Sequence, residues 1–176
     1  MFSYNYLYNI LKYNQIELFK PVSILKKYEI FFLQNGLLNL HIIIHTLQQI
    51  FNLIINIKNL NGKILFIGHP YNKLINKIIK YTAVQTNQYY YHFYLENVNY
   101  ANLALTLKKL NPDLIIAFSS TVSLPVLKIA IKLNIPTFGI CDAKYNKDFL
   151  LTYYILGDEN SSKIIYFYCR LLLNLF

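Results

Sequence analysis

Seventeen basic residues face only eight acidic ones in a chain of 176, a formal charge of +9 with just 14% of positions charged. That length holds one domain with a proper core and is too short for two, and the nearly unopposed cations set up a field that favours polyanions such as nucleic acid or anionic lipid. Asn, Ile, Lys, Leu, Tyr and Phe dominate, with a single Arg (Arg170), no Trp, five Gly and five Pro; all the enriched types but Leu are spelled by AT-rich codons, so part of the 55% hydrophobic content and of the Lys excess reflects the base composition of the gene.

Residues 1–20 read as a helix with Leu7, Ile10, Leu11 and Phe19 on one stripe, stopped by Pro21. They contain no Arg, little Ser and no apolar core with a small-residue cleavage site, so neither a transit peptide nor a secretory signal is expected. Residues 1–27 form an N-terminal helical extension and residues 28–176 the main domain. Residues 28–33 are apolar and aromatic and lead to the turn signal Asn35-Gly36, and residues 37–44 fit strand or helix. From Thr46, a plausible N-cap, the pattern is helical: Leu47, Ile50, Phe51, Ile54 and Ile57 recur at three- and four-residue steps up to the stop signal Asn61-Gly62. A membrane-spanning helix needs about 20 mostly apolar residues. The stretch 37–57 is broken by His41, His45, Gln48, Gln49, Asn52 and Asn56, and no membrane span is expected.

Lys63 introduces Ile64, Leu65, Phe66 and Ile67, an unalternating apolar run of the kind a strand buried on both faces shows, closed by Gly68. A helix is predicted over 71–85, with Leu74, Ile75, Ile78 and Ile79 inward and Lys73, Lys77 and Lys80 outward. A strand made almost wholly of aromatics is predicted over 89–95, then a helix over 102–110 ended by Asn111-Pro112. Strand 114–118, helix 122–133, strand 137–141, a short strand 153–155 and a last helix from Asp158 complete the chain, with Gly157 or Asp158 as cap and Asp158 and Glu159 complementing the helix dipole. Repeated strand–helix–strand order with buried strands predicts an α/β fold, a parallel sheet covered on both faces. Cys141 falls in the penultimate strand and Cys169 in the last helix. They make no metal spacing with each other or with His41, His45, His69 and His92, and read as free thiols in a reducing compartment.

Ligands of such sheets gather beyond the C-terminal strand ends, here Gly68-His69-Pro70, Ser119-Ser120-Thr121 and Asp142-Ala143-Lys144. An enzyme would recruit His69 as base, a serine as nucleophile and Asp142 as orienting acid. The spacing forms no Gly-x-Ser-x-Gly elbow, Walker loop or Gly-x-Gly-x-x-Gly. Gly68 reads as a turn residue and Asp142 as an acceptor for loop amides. Lys73, Lys77 and Lys80, four and three residues apart, share one helix face suited to phosphates. The aromatics at 89–94 suit core packing or base stacking.

The order of these motifs resembles the family of ribosomal protein S-two, the second protein of the small ribosomal subunit. The resemblance runs from Tyr28 to Phe176: Asn35-Gly36 through His45-Thr46, then Gly62-Lys63-Ile64-Leu65-Phe66-Ile67-Gly68, Pro112-Asp113, Ile135-Pro136, Cys141-Asp142, and Tyr153 through Gly157-Asp158-Glu159-Asn160-Ser161. Four of the five glycines fall on family glycines. The chain departs from the family before Tyr28, where its Gly-His and Asn-Pro signature is missing. Phe93-Tyr94-Leu95-Glu96 stands where the family has Arg-Trp-Leu-Gly-Gly, and Lys163 where it has Arg. The short stretch between Leu95 and Pro112 leaves no room for the family's projecting helical hairpin.

The resemblance implies a doubly wound, flavodoxin-like parallel sheet without that hairpin. It also implies small-subunit rRNA and neighbouring small-subunit ribosomal proteins as partners; with the AT-rich codon bias, common in organelle genomes, the expectation is a divergent, organelle-encoded protein of the mitochondrial matrix ribosome. No cofactor, metal, enzymatic activity or homo-oligomer is expected. Lys63, Lys73, Lys77, Lys80, Lys144, Lys147 and Lys163 are the candidate rRNA-binding residues. The competing reading is a small α/β nucleotide-binding domain or enzyme using the Gly68 and Asp142 loops.

Overall fold

A computed structural model describes residues 3–18, 40–69, 71–92, 100–120, 123–141 and 150–176. The described residues form six helices and five strands, in the order α1 (Tyr4–Leu18), α2 (Leu40–Asn59), β1 (Ile64–Ile67), α3 (Lys73–Gln85), β2 (Tyr89–Tyr91), α4 (Tyr100–Leu110), β3 (Leu114–Ala117), α5 (Leu124–Lys132), β4 (Thr137–Cys141), β5 (Tyr153–Leu156) and α6 (Ser162–Leu173). The strands pair in the order β2-β1-β3-β4-β5, every pair parallel. This is the parallel α/β sheet that the element order predicts, in the doubly wound, flavodoxin-like strand order that the resemblance implies. The expected strand at 28–33, the turn at Asn35-Gly36, Pro21, Asp142, and the lysines at 144 and 147 lie outside the described residues.

Alternation along each strand sends side chains to two cores. Ile64, Phe66, Leu114, Ile116, Phe138 and Ile140 point into one core with α1, α2, α3 and α6, while Leu65, Ile67, Ile115 and Ala117 meet α4 and α5 on the other face. Burial on both faces is why these strands read as continuous apolar runs. Leu7 and Leu11 of α1 are wholly buried within the first core. Gly139 of β4 lies beside Ala117 of β3, and a Cβ there would overlap the Ala117 carbonyl oxygen, so only glycine lets these strands close up.

Helix ends share one device. Among the described residues four non-glycine positions have positive φ, and all are asparagine: Asn61, Asn87, Asn111 and Asn134. Each follows a helix and precedes a strand. After α2 the Asn61 N–H donates to Lys58 O at 3.0 Å and the Gly62 N–H to Ile57 O at 2.7 Å, the paired bonds of a Schellman end. Asn87 with Gln88 and Asn134 with Ile135 repeat the pattern. At Asn111 the next residue is Pro112, which has no N–H, and only the single bond to Leu107 O remains. Asparagine tolerates the left-handed region best after glycine, so it serves here in a glycine-poor chain.

Some boundaries move. α2 starts at Leu40 rather than Thr46, and the Thr46 hydroxyl, in mid-helix, donates to Ile42 O at 3.0 Å instead of capping. This helix is long and apolar enough to cross a membrane by length and composition, but Ile43, Ile44, Leu47, Ile50 and Ile54 are buried in the core while His41, His45, Gln49, Asn52 and Asn56 are exposed. α3 starts at Lys73, capped by Asn72. Leu74, expected inward, is 57% exposed, because the sheet takes the face of Ile75 and Ile79 and Leu74 falls on its flank. α6 begins at Ser162 with Ser161 as cap, accepting from the Ile164 N–H. Asp158 instead accepts from the Asn160 N–H at 3.0 Å within the preceding turn.

Candidate nucleic-acid interface

In this strand order the winding reverses between β1 and β3, and the crevice beyond their C-terminal ends is where such folds hold ligands. At the end of β1, Gly68 lies close to side chains from α3 and the β2 side of the sheet. A Cβ on Gly68 would lie 2.5 Å from Asn76 Oδ1, 2.5 Å from the Tyr90 hydroxyl and 3.0 Å from His92 Nδ1. Glycine here therefore admits side chains of α3 and β2. The Tyr90 hydroxyl donates to Asn76 Oδ1, and Asn76 Nδ2 lies 3.3 Å from His92 Nδ1.

His69 turns inward and is 5% exposed. Its Nδ1 accepts from the backbone N–H groups of Tyr71 at 3.3 Å and Asn72 at 3.0 Å, and Asn72 Oδ1 accepts from those of Leu74 and Ile75 at 3.0 and 3.1 Å. The amides that would cradle a phosphate ahead of α3 are thereby engaged. With Nδ1 accepting, the ring proton belongs on Nε2, which is buried without a hydrogen-bond partner. Burial holds the imidazole below its ordinary pKa, opposed by the Asn160 side chain and the Glu159 charge.

Across the crevice, the buried Glu159 carboxylate accepts from the Ser120 N–H at 2.8 Å and its hydroxyl at 3.1 Å. The expectation that Glu159 serves the α6 dipole is corrected: it is drawn inward by those two donors. Ser120 donates to a carboxylate and His69 Nδ1 accepts from backbone, so these two do not form a nucleophile–base pair. No group of three His, Cys, Asp or Glu side chains able to hold a metal comes together among the described residues.

The predicted cations fall in two places. Lys73, Lys77 and Lys80 are exposed on α3, a helix without an acidic residue. α6, likewise free of acids, packs against α3. Lys163 and Arg170 are exposed on it, and Arg170 Nη1 donates to the Tyr166 hydroxyl at 3.3 Å. Leu74, Tyr81 and Val84 of α3 and Tyr166 of α6 put exposed apolar and aromatic area among these charges. Tyr89, on the edge strand, is 43% exposed.

Lys63 sits apart, before β1 at the opposite edge of the sheet. Its Nζ donates to Leu110 O at the end of α4 at 3.3 Å, and its backbone N–H to Asp113 Oδ2 at 2.8 Å. A Cβ on Gly62 would come within 2.8 Å of that carboxylate oxygen. Four more lysines near this edge escape a reading of sequence: Lys58, Lys108, Lys109 and Lys132, each in the last turn of a helix. The signal available was their position just before helix-ending asparagines.

No known family model matches this chain, and no curated protein matches it.

Proposed function

We propose that the chain is a structural, non-catalytic protein of the small subunit of a mitochondrial ribosome, holding small-subunit rRNA and docking neighbouring ribosomal proteins. The observation that carries this reading is the surface of α3 and α6, where Lys73, Lys77, Lys80, Lys163 and Arg170 stand exposed on two packed helices that contain no acid. Such a surface suits phosphates, and the exposed Leu74, Tyr81 and Tyr166 beside it suit contact with a neighbouring chain. The loop after β1 supports the same reading, since His69 Nδ1 already accepts from the Tyr71 and Asn72 N–H groups that a nucleotide phosphate would use. Two motifs of the S-two resemblance also meet in space, Gly62-Lys63 against Asp113.

Co-sedimentation with small subunits through gradients of rising salt tests it. The chain should travel with the subunit, and Lys73→Glu, Lys77→Glu and Lys80→Glu together should release it at lower salt, since each lost phosphate contact removes about one unit of salt dependence. A chain that sediments apart from small subunits, or a triple variant retained like the parent, overturns the reading.

A further inference from the structure

We infer that the N-terminal edge of the sheet is a second RNA-binding surface, so that the protein bridges two RNA segments rather than resting on one. The inference builds on the RNA-binding reading above.

A parallel sheet with helical crossovers brings every helix C-terminus that feeds a strand to one edge. At that edge lie Lys58 at the end of α2, Lys63 before β1, Lys108 and Lys109 at the end of α4 and Lys132 at the end of α5, all exposed. The strands they precede, β1, β3 and β4, are successive neighbours. At about 5 Å per strand these positions span roughly 10 Å along the sheet, with Lys108, Lys109 and Lys132 on the α4–α5 face and Lys58 on the α2 face. The helix-ending asparagines Asn61, Asn87, Asn111 and Asn134 are at the same edge and exposed, adding amide groups able to bond phosphate and ribose oxygens. Asp113 is the acid of this edge among the described residues, and one of its oxygens already accepts from the Lys63 N–H.

Local contacts explain part of this charge: Lys58 Nζ donates to Leu175 O and Phe176 O past the end of α6, and Lys63 Nζ donates to Leu110 O at the end of α4, complementing its dipole. One cation per terminus would serve that purpose, whereas α4 ends on two, with Lys63 reaching the same terminus. The α3 stripe begins at the other end of the molecule, at the N-terminus of a 13-residue helix about 20 Å long. It lies on a helix flank, whereas the edge looks along the strand axes. A single straight duplex laid on one surface leaves the other open.

The experiment is titration of the full chain with a short blunt RNA duplex of mixed sequence, with stoichiometry read by native mass spectrometry. The parent should take up two duplexes. Lys108→Glu, Lys109→Glu and Lys132→Glu together should reduce uptake to one, as should the α3 triple variant, and combining both sets should abolish it. Asn87→Gly with Asn134→Gly, which keeps the left-handed backbone and removes only the amides, should weaken the edge site several-fold without lowering the thermal midpoint. A parent that saturates at one duplex, or an edge variant that still binds two, overturns the inference while leaving RNA binding intact. A parent that takes up none overturns the RNA-binding reading itself.

Discussion

Glu159 and Ser120 lie 39 residues apart, yet the carboxylate of the first holds both the N–H and the hydroxyl of the second. This contact ties the segment after β5 to the end of β3 across the top of β4. Glu159→Ala should therefore cost about 2 kcal/mol, because a largely buried N–H loses a charged acceptor. Glu159→Gln, which keeps one acceptor oxygen, should cost less. Urea denaturation of the two variants measures both.

His69 should make the fold acid-sensitive. Its folded pKa lies below the ordinary 6.5. As pH falls through 6.5 the unfolded chain therefore takes up a proton that the folded chain refuses, and stability drops in that window. Above 6.5 both states are neutral and the effect vanishes. His69→Gln should flatten the dependence between pH 7.5 and 5. In Glu159→Gln, which removes the neighbouring charge, the His69 pKa observed by NMR should fall further.

Tyr168 is wholly buried, and its hydroxyl has no hydrogen-bond partner. Burial raises its ionisation well above the usual phenol range. Tyr168→Phe removes an unsatisfied polar atom and keeps the ring, so stability should rise by up to about 1 kcal/mol. A rise in the thermal midpoint is the expected sign.

Gly139→Ala should cost more than a methyl at Gly62 or Gly68. Its Cβ would meet the Ala117 carbonyl in the neighbouring central strand and sit 3.3 Å from Leu151 Cδ1, and neither strand can move without disturbing both cores. A loss of about 3 kcal/mol is expected, visible as a large fall in denaturation midpoint.

The helix-ending asparagines give a graded test. Asn134→Ala places a Cβ residue of poor left-handed tolerance at φ 53° and should cost about 1 kcal/mol. Asn134→Gly should be neutral or slightly stabilising.

The inner strands β1, β3 and β4 were legible because two-sided burial leaves them unalternating and Asn, Gly or Pro brackets them. β4 falls where predicted, and β3 and β5 differ by one residue at one end. The start of α2 was not, because the apolar run at 37–44 fits either period and only packing on the sheet decides it. Leu74 was misplaced for a similar reason: a one-residue offset from Ile75 turns a side chain by about 100°. The inward Glu159 depends on Ser120, and no local pattern announces such a partner. The α3 stripe was readable because its spacing is helical. Lys63 was singled out, but its companions at 58, 108, 109 and 132 were not, since only the winding of the sheet collects them with it.

His69 Nδ1 holds the Tyr71 and Asn72 amides ahead of α3, so on the RNA-binding reading proposed above the domain would fold without help from a small anion at that helix end. By mass action a ligand stabilises only the state that binds it. On that reading millimolar nucleotide should leave the melting temperature unmoved, and stabilisation beyond the core would come from macromolecules bound over the outside. Its lifetime in the cell would then follow the supply of assembly partners and be indifferent to metabolite levels.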